Sequence, residues 1–349
     1  NQPIMIFSVK ISMDFTSLTQ YVDACVITRE STIYSRVWFR GEVTLTSHLL
    51  IYYTVTFDNN VHLVGGRMEI MGDSQQRIEV NGPNPDVIRI TLDSNSQIIL
   101  NNTFVNAVSI EVNGGEIEIE NSDFTCGSEC IKANSVSCLS IQRNTFQGTY
   151  ETGIAIHQGD NSFAKQMDII DNKFYSQGNV GVIYENTAVL SIEQFQFVDN
   201  EVRVNFGLIV NTLNIKAVIV TDNQFFSNSE GGIWCSTDMT SIHQIVLLKS
   251  NVFYGSSLYL QQSGGSVTFV ENSINSTQVQ FNISSCLGTT LIDHNTFRDN
   301  EVLEFHMDED CPETIQFSYN EVPSSLNNDA VILLTKSIRF EMNYFSQQA

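Results

Sequence analysis

The stretch "CGSECIKANSVSCLSIQRNTFQGTYETGIAI", Cys126 to Ile156, holds two glutamates, Glu129 and Glu151. A pair of carboxyl groups about 6.5–9.5 Å apart is what an inverting glycoside hydrolase needs, one as acid and one as base. The acidic run "HMDEDCPE", His306 to Glu313, offers Asp308, Glu309 and Asp310. Carboxylates bunched this way suit a hard cation, and Ca²⁺ is the one cofactor the sequence admits. The plainer reading of the run is a solvated loop. The six histidines show no HxxxH spacing, the cysteines form no paired CxxC sets, and no Ser/His/Asp order or phosphate-binding glycine loop occurs.

Groups this far apart need a scaffold to meet. The chain has 349 residues, 42% of them apolar, enough to bury a core. Asp and Glu number 39 against 17 Lys and Arg, for a net charge of −22. That balance disfavours nucleic acid and anionic membrane and suits cations or neutral glycans. No apolar run reaches about 18 residues, so no membrane insertion is expected. The opening "NQPIMIFSVK" lacks a charged-then-apolar leader and reads as a mature start.

An internal repeat supplies the scaffold. An anchor asparagine recurs at Asn144, Asn172, Asn200, Asn223, Asn251, Asn272, Asn295, Asn320 and Asn343, in steps of 21 to 28 residues. Two residues after each anchor comes an apolar side chain, such as Phe146, Phe174, Phe225, Phe253 and Phe297. Three residues before it stands another, such as Ile141, Ile169, Val220 and Ile292. Five before comes a third, with Thr290 the weak match. The period within each unit is two, which is strand spacing. A second alternating pair follows most anchors, often led by glycine, as in "TGIAI", "NFGLI" and "EGGIW". Glycine there supplies the positive φ expected of a sharp corner.

A unit this short cannot bury its own apolar face, whereas stacked units bury a continuous core. The expected fold is all-β, a parallel β-helix of roughly 11–13 coils. The anchor asparagines are expected to take the left-handed turn conformation and to hydrogen-bond up and down a ladder. The neighbouring phenylalanines are expected to stack inside. Residues 61–349 read as one continuous repeat domain. Residues 1–60 lack the anchor but contain "HLLIYYTVTF", and read as an N-terminal cap or divergent first coils.

With its asparagine ladder and internal aromatic column, the chain resembles the right-handed parallel β-helix, pectin-lyase-like superfamily over roughly residues 60 to 349. The resemblance implies right-handed winding and raises polysaccharide lyases and hydrolases as relatives. "CGSECI" resembles the galacturonase pattern, but Ser128 and Glu129 stand where that family has an Asp pair. Glu151 or Thr152 stands where it has histidine, and no Arg-x-Lys follows. Fold-level spacing alone accounts for the likeness. "FVDN", "FFSN" and "FRDN" also resemble the FxxN repeats of polymorphic surface adhesins.

Cys286 and Cys311 fall at nearly equivalent places on adjacent coils, within disulfide reach, and are expected to bridge. Among Cys126, Cys130 and Cys138 one more bridge is expected, and Cys235 reads as a buried thiol. Sequons begin at Asn101, Asn275 and Asn282 and, with the cysteines, point outside the cell or to its surface. The last motif runs almost to the final residue, and an open stack end invites end-to-end self-association. The sequence therefore reads as an extracellular structural or adhesive β-helix, a head-to-tail filament subunit without an evident catalytic site. The alternative is a carbohydrate-active lyase or hydrolase, or a glycan-binding module. Trp38, Trp234 and Tyr254 are outward aromatics suited to sugars.

Overall fold

A computed structural model describes residues 4–5, 20–73, 75–82, 88–159, 166–176, 180–187, 192–213, 215–226, 231–238, 244–275, 278–285, 288–298, 302–307, 315–323, 331–334 and 338–346. Every element in them is a β-strand, and every strand pairing is parallel. The chain divides into two compact units, Asn1–Gly178 and Asn179–Ala349. In each, a coil crosses three sheets in turn. Glu116–Glu120 lies in sheet I, Asp123–Cys126 in sheet II and Glu129–Asn134 in sheet III. Each strand pairs with its equivalent one coil away, as in Ile117 with Leu139 (sheet I), Phe124 with Phe146 (sheet II) and Ile131 with Ile154 (sheet III). The second unit repeats the scheme, with Val218 on Val246, Phe225 on Phe253 and Ile233 on Leu258.

The segment expected as a cap or divergent coils winds in the same three-sheet order from Gln20 onward. Its turns are shorter: Cys25 pairs with Val43 and Val43 with Val61, 18 residues a turn. The inward pairs Val37/Phe39, Val43/Leu45, Leu49/Ile51 and Val55/Phe57 recur every six residues and are all buried. A turn that tight leaves no room for the longer corner where an anchor asparagine sits.

The anchors lie between sheets I and II, and their hydrogen bonds run along the stack. In the second unit the backbone N–H of Asn200 donates to Asn223 Oδ1 at 2.8 Å, Asn223 to Asn251 at 3.1 Å and Asn251 to Asn272 at 2.9 Å. The series continues through Asn295 and Asn320 to Asn343. Each Nδ2 also donates to a carbonyl of the coil behind, as Asn223 does to Phe197 at 2.8 Å. In the first unit the ladder joins Asn144 to Asn172 at 2.9 Å. It extends backward through residues that are not asparagine: Ser122 N–H donates to Asn144 Oδ1 and Thr103 N–H to Ser122 Oγ.

The left-handed conformation falls one residue earlier than expected. Positive φ belongs to Arg143, Asp171, Asp199, Asp222, Ser250, Glu271, His294, Tyr319 and Met342, each just before an anchor. Left-handed backbone costs a non-glycine residue roughly 1–2 kcal/mol. Two hydrogen bonds per corner offset it, since Asp222 N–H donates to Lys249 O at 3.0 Å while Asn223 ties the next residue. The side chain at the left-handed position points outward, so its identity is free. The corner glycines also act differently from the expectation, because Gly207 and Gly232 are not at positive φ. A Cβ on Gly207 would sit 2.5 Å from the Phe225 ring and 2.6 Å from Gly232 O. Close backbone approach, rather than a left-handed turn, requires glycine there. Inside, Phe124, Phe146 and Phe174 stack at 5.0 and 4.9 Å, and Phe225 and Phe253 at 5.1 Å.

Candidate functional site

Outward residues of sheet III in the first unit build a cleft of about 410 Å³. Strand alternation sends Ile131 and Ala133 into the core and Lys132 outward. In-register pairing then sets Thr91, Glu111 and Lys132 side by side on successive coils. Arg89 and Ser109 form a second outward pair. The sheet II–III corner adds Gly127 and Ser128, then Glu129, while the next coil brings Glu151. The cleft thus gathers three carboxylates and two cations.

Most of these charges are engaged. Arg89 Nη1 lies 3.3 Å from Glu111 Oε2, and Lys132 Nζ lies 3.8 Å from Glu129 Oε2. Pairs this exposed contribute at most about 1 kcal/mol each to stability and give way to a competing ligand. The backbone beneath is firmer. Ser109 Oγ donates to Glu129 O at 2.7 Å, and Glu151 N–H to Ser128 O at 3.0 Å. A disulfide joins Cys126 to Cys130, Cα atoms 5.5 Å apart, and clamps the loop carrying Ser128 and Glu129. On the cleft's margin His62 Nδ1 lies 2.6 Å from Thr91 Oγ1, whose hydroxyl donates to Val61 O at 3.2 Å.

Glu129 and Glu151 therefore line one cleft. Asp308, Glu309, Asp310, Cys286 and Cys311 lie outside the described residues. Among the described residues, no group of three His, Cys, Asp or Glu is arranged to hold a metal ion. Cys25 and Cys235 are buried free thiols, pushed by burial up to about 11 and about 12, and Cys138 is free and half-buried. Asn101 ends a sheet I strand, its Oδ1 accepting from Asn121 Nδ2 at 3.3 Å. Asn275 ends a sheet II strand, and Asn282 Nδ2 donates to Tyr259 Oη at 2.9 Å. Trp234 and Tyr254 are 45% and 47% exposed, whereas Trp38 is half-buried against Tyr21. Sequence reasoning missed Arg89, Glu111 and Lys132. Their meeting depends on the register of coils that lack the asparagine anchor, and only the alternation of "RITL", "SIEVN" and "CIKAN" hinted at it.

Residues 87–247, which include the cleft, match the family model described as a right handed beta helix region. The three parallel sheets of the described residues are the coils of a parallel β-helix, the fold that family model describes. No curated protein matches this β-helix. Among solved structures, the periplasmic alginate epimerase AlgG is similar at 10% identity, over 90% of this chain and 78% of its own, with a TM-score of 0.33. Two of its mutant structures give 11% identity over the same spans, with TM-scores of 0.34 and 0.33. Likeness at that level bears on neither activity nor substrate. Among the described residues no helix is long and apolar enough to cross a membrane.

Proposed function

We propose that this β-helix is an exported protein that binds a neutral glycan in the sheet III cleft of its first unit. The observation that carries the reading is the convergence of Glu129 and Glu151 with Arg89, Glu111 and Lys132 around one cavity. Carboxylates accept hydrogen bonds from sugar hydroxyls, and Arg and Lys donate to sugar oxygens. Both cations already face carboxylates, so the cleft offers no surplus positive charge to a polyuronate. The net charge of −22 argues in the same direction. The disulfide fits an oxidising compartment. A structural or adhesive role with end-to-end association, read from the last coil motif "SIRFEMNYFSQQA", is a different reading from the one the cleft supports.

Hydrolysis of the bound glycan is the second reading, favoured by two carboxylates on adjacent coils at one cleft. The test is isothermal titration against neutral and acidic hexasaccharides, followed by an assay of released reducing ends. Binding of a neutral hexasaccharide, weakened about tenfold or more in Glu129→Gln and Glu151→Gln, is the expected result. Reducing ends that vanish in either variant would add hydrolysis. Preference for an acidic hexasaccharide, or affinity unchanged by both substitutions, would overturn the proposal.

A further inference from the structure

The outer face of sheet III in the second unit carries a different feature. Register aligns Ile209, Trp234, Tyr259 and Gln280 in one outward column across four coils. The parallel column two residues on holds Asn211, Ser236, Gln261 and Asn282. Trp234 stacks on Tyr259 with ring centroids 4.1 Å apart and planes 25° from parallel. Even so the indole stays 45% exposed, an apolar surface that a solenoid has no structural need to present to water.

The groups beside the aromatic pair say what would cover it. Tyr259 Oη donates to Gln261 Oε1 at 3.1 Å and accepts from Asn282 Nδ2 at 2.9 Å. Asn282 Oδ1 accepts from Gln280 Nε2 at 3.5 Å, so the groups a ligand would meet are Gln261 Nε2 and the second lone pair of Asn282 Oδ1. Each flanking side chain is a neutral hydrogen-bonding group. The column is bounded by Glu185 on the coil before Asn211 and by His306 on the coil after Asn282, so the neutral stretch is the part beside the aromatic pair. An apolar protein partner would leave these amides unpaired on burial, at about 1–3 kcal/mol each. A nucleic acid or polyuronate would find no cation here. A pyranose has both complements, an apolar face of C–H groups and a rim of hydroxyls.

We infer that Trp234 and Tyr259, flanked by Asn211, Ser236, Gln261 and Asn282, form a second binding site, one that takes the uncharged pyranose units of a neutral polysaccharide. The Tyr259 hydrogen bonds hold the ring before the sugar arrives, which lowers the ordering cost of binding. The inference does not rest on the first-unit cleft, since it uses other residues and another reporter.

That reporter is intrinsic. The chain has two tryptophans, Trp38 and Trp234, so Trp38→Phe leaves Trp234 as the sole tryptophan, read by selective excitation of the indole over the 11 tyrosines. Titrating this variant with neutral hexasaccharides of glucose, mannose, xylose and galactose is expected to give a saturable change in emission with at least one of them. Hexagalacturonate is expected to give none. Adding Trp234→Tyr keeps a ring, and calorimetry should find affinity within about threefold, whereas Trp234→Ala should lose about tenfold or more. Glu129→Gln should leave the emission response intact, so failure of the cleft proposal and failure of this one are separable. No emission change with any neutral hexasaccharide would overturn the inference. So would equal affinity in Trp234→Ala, or a dimer in light scattering that Trp234→Ala abolishes, which would assign the ridge to a second copy of the chain.

Discussion

Asn251 satisfies four groups with one side chain. Its Oδ1 accepts from the N–H and the Nδ2 of Asn223, and its Nδ2 donates to Val220 O and Asn272 Oδ1. All of this is buried, so Asn251→Ala strands the Asn223 N–H and the Val220 carbonyl. The expected cost is about 2–4 kcal/mol, read as a lower urea midpoint at unchanged slope. Asn251→Asp keeps the acceptor but turns a carboxylate oxygen toward Val220 O and Asn272 Oδ1, two acceptors, and should cost at least as much as alanine at pH 7. Asp168 makes the opposite case. Burial, the larger influence, holds its carboxyl above the ordinary carboxylate range, against the lowering effect of Gln166 Nε2 at 2.6 Å. Its Oδ1 is buried without a partner. A raised folded pKa means the native state favours the protonated acid, so stability is fully present below the unfolded value of 3.8 and is lost as pH rises through the folded one. Asp168→Asn is therefore expected to raise the urea midpoint at pH 7 and to leave it unchanged near pH 3. An equal gain at both values would point to packing rather than charge.

Strand, corner and coil set the next scale, where side-chain volume decides. Gly207→Ala would drive a methyl against the Phe225 ring and the Gly232 carbonyl. Because the obstacle includes backbone, the expected loss is about 1–3 kcal/mol, measurable in the same urea titration. The clamp Cys126–Cys130 closes only a short loop, so chain entropy gives it no more than about 2 kcal/mol of stability. Its main effect is on position. The double variant Cys126→Ser, Cys130→Ser should keep the β-sheet circular dichroism yet bind a cleft ligand several-fold more weakly; unchanged affinity would show that the clamp does not hold Glu129 in place. At this scale the sequence announced the coils and their parallel stacking, since Ile169, Phe174 and Val218 alternate in strand period around asparagines. It did not announce which residue turns left-handed, because that side chain faces water and runs from Asp171 to Met342 without a shared chemistry. Nor did it announce the early 18-residue turns, whose six-residue spacing carries no polar marker. The cleft was half legible. Glu129 and Glu151 stood out as carboxylates, while Arg89, Glu111 and Lys132 needed a register that only the pairing of Ile110 with Ile131 supplies.

For the molecule as a whole, stability is close to a sum over neighbouring coils, because each strand pairs only with its equivalents. That makes a whole turn dispensable in a way no part of a turn is. Ser273 pairs with Thr296 and Ile274 with Phe297, so removing residues 273–295 joins Asn272 to Thr296 at the same point of the corner. The asparagine ladder then passes from Asn272 to Asn320, and each interior column loses one member without a change of face. The shortened chain is expected to keep its circular dichroism per residue and a cooperative melt, with a modestly lower midpoint. Removing only 273–284 takes half a turn and offsets every later strand from its partner, so inward Ile292, Phe297 and Phe317 would no longer meet equivalent positions. That variant should not fold. The full-turn deletion also removes Asn282 and Gln280, so it is expected to weaken the proposed sugar binding at Trp234 and to leave the Glu129 cleft unaffected. Unfolding of the 273–295 variant, or survival of the 273–284 variant, would mean that the coils are coupled by more than nearest-neighbour stacking.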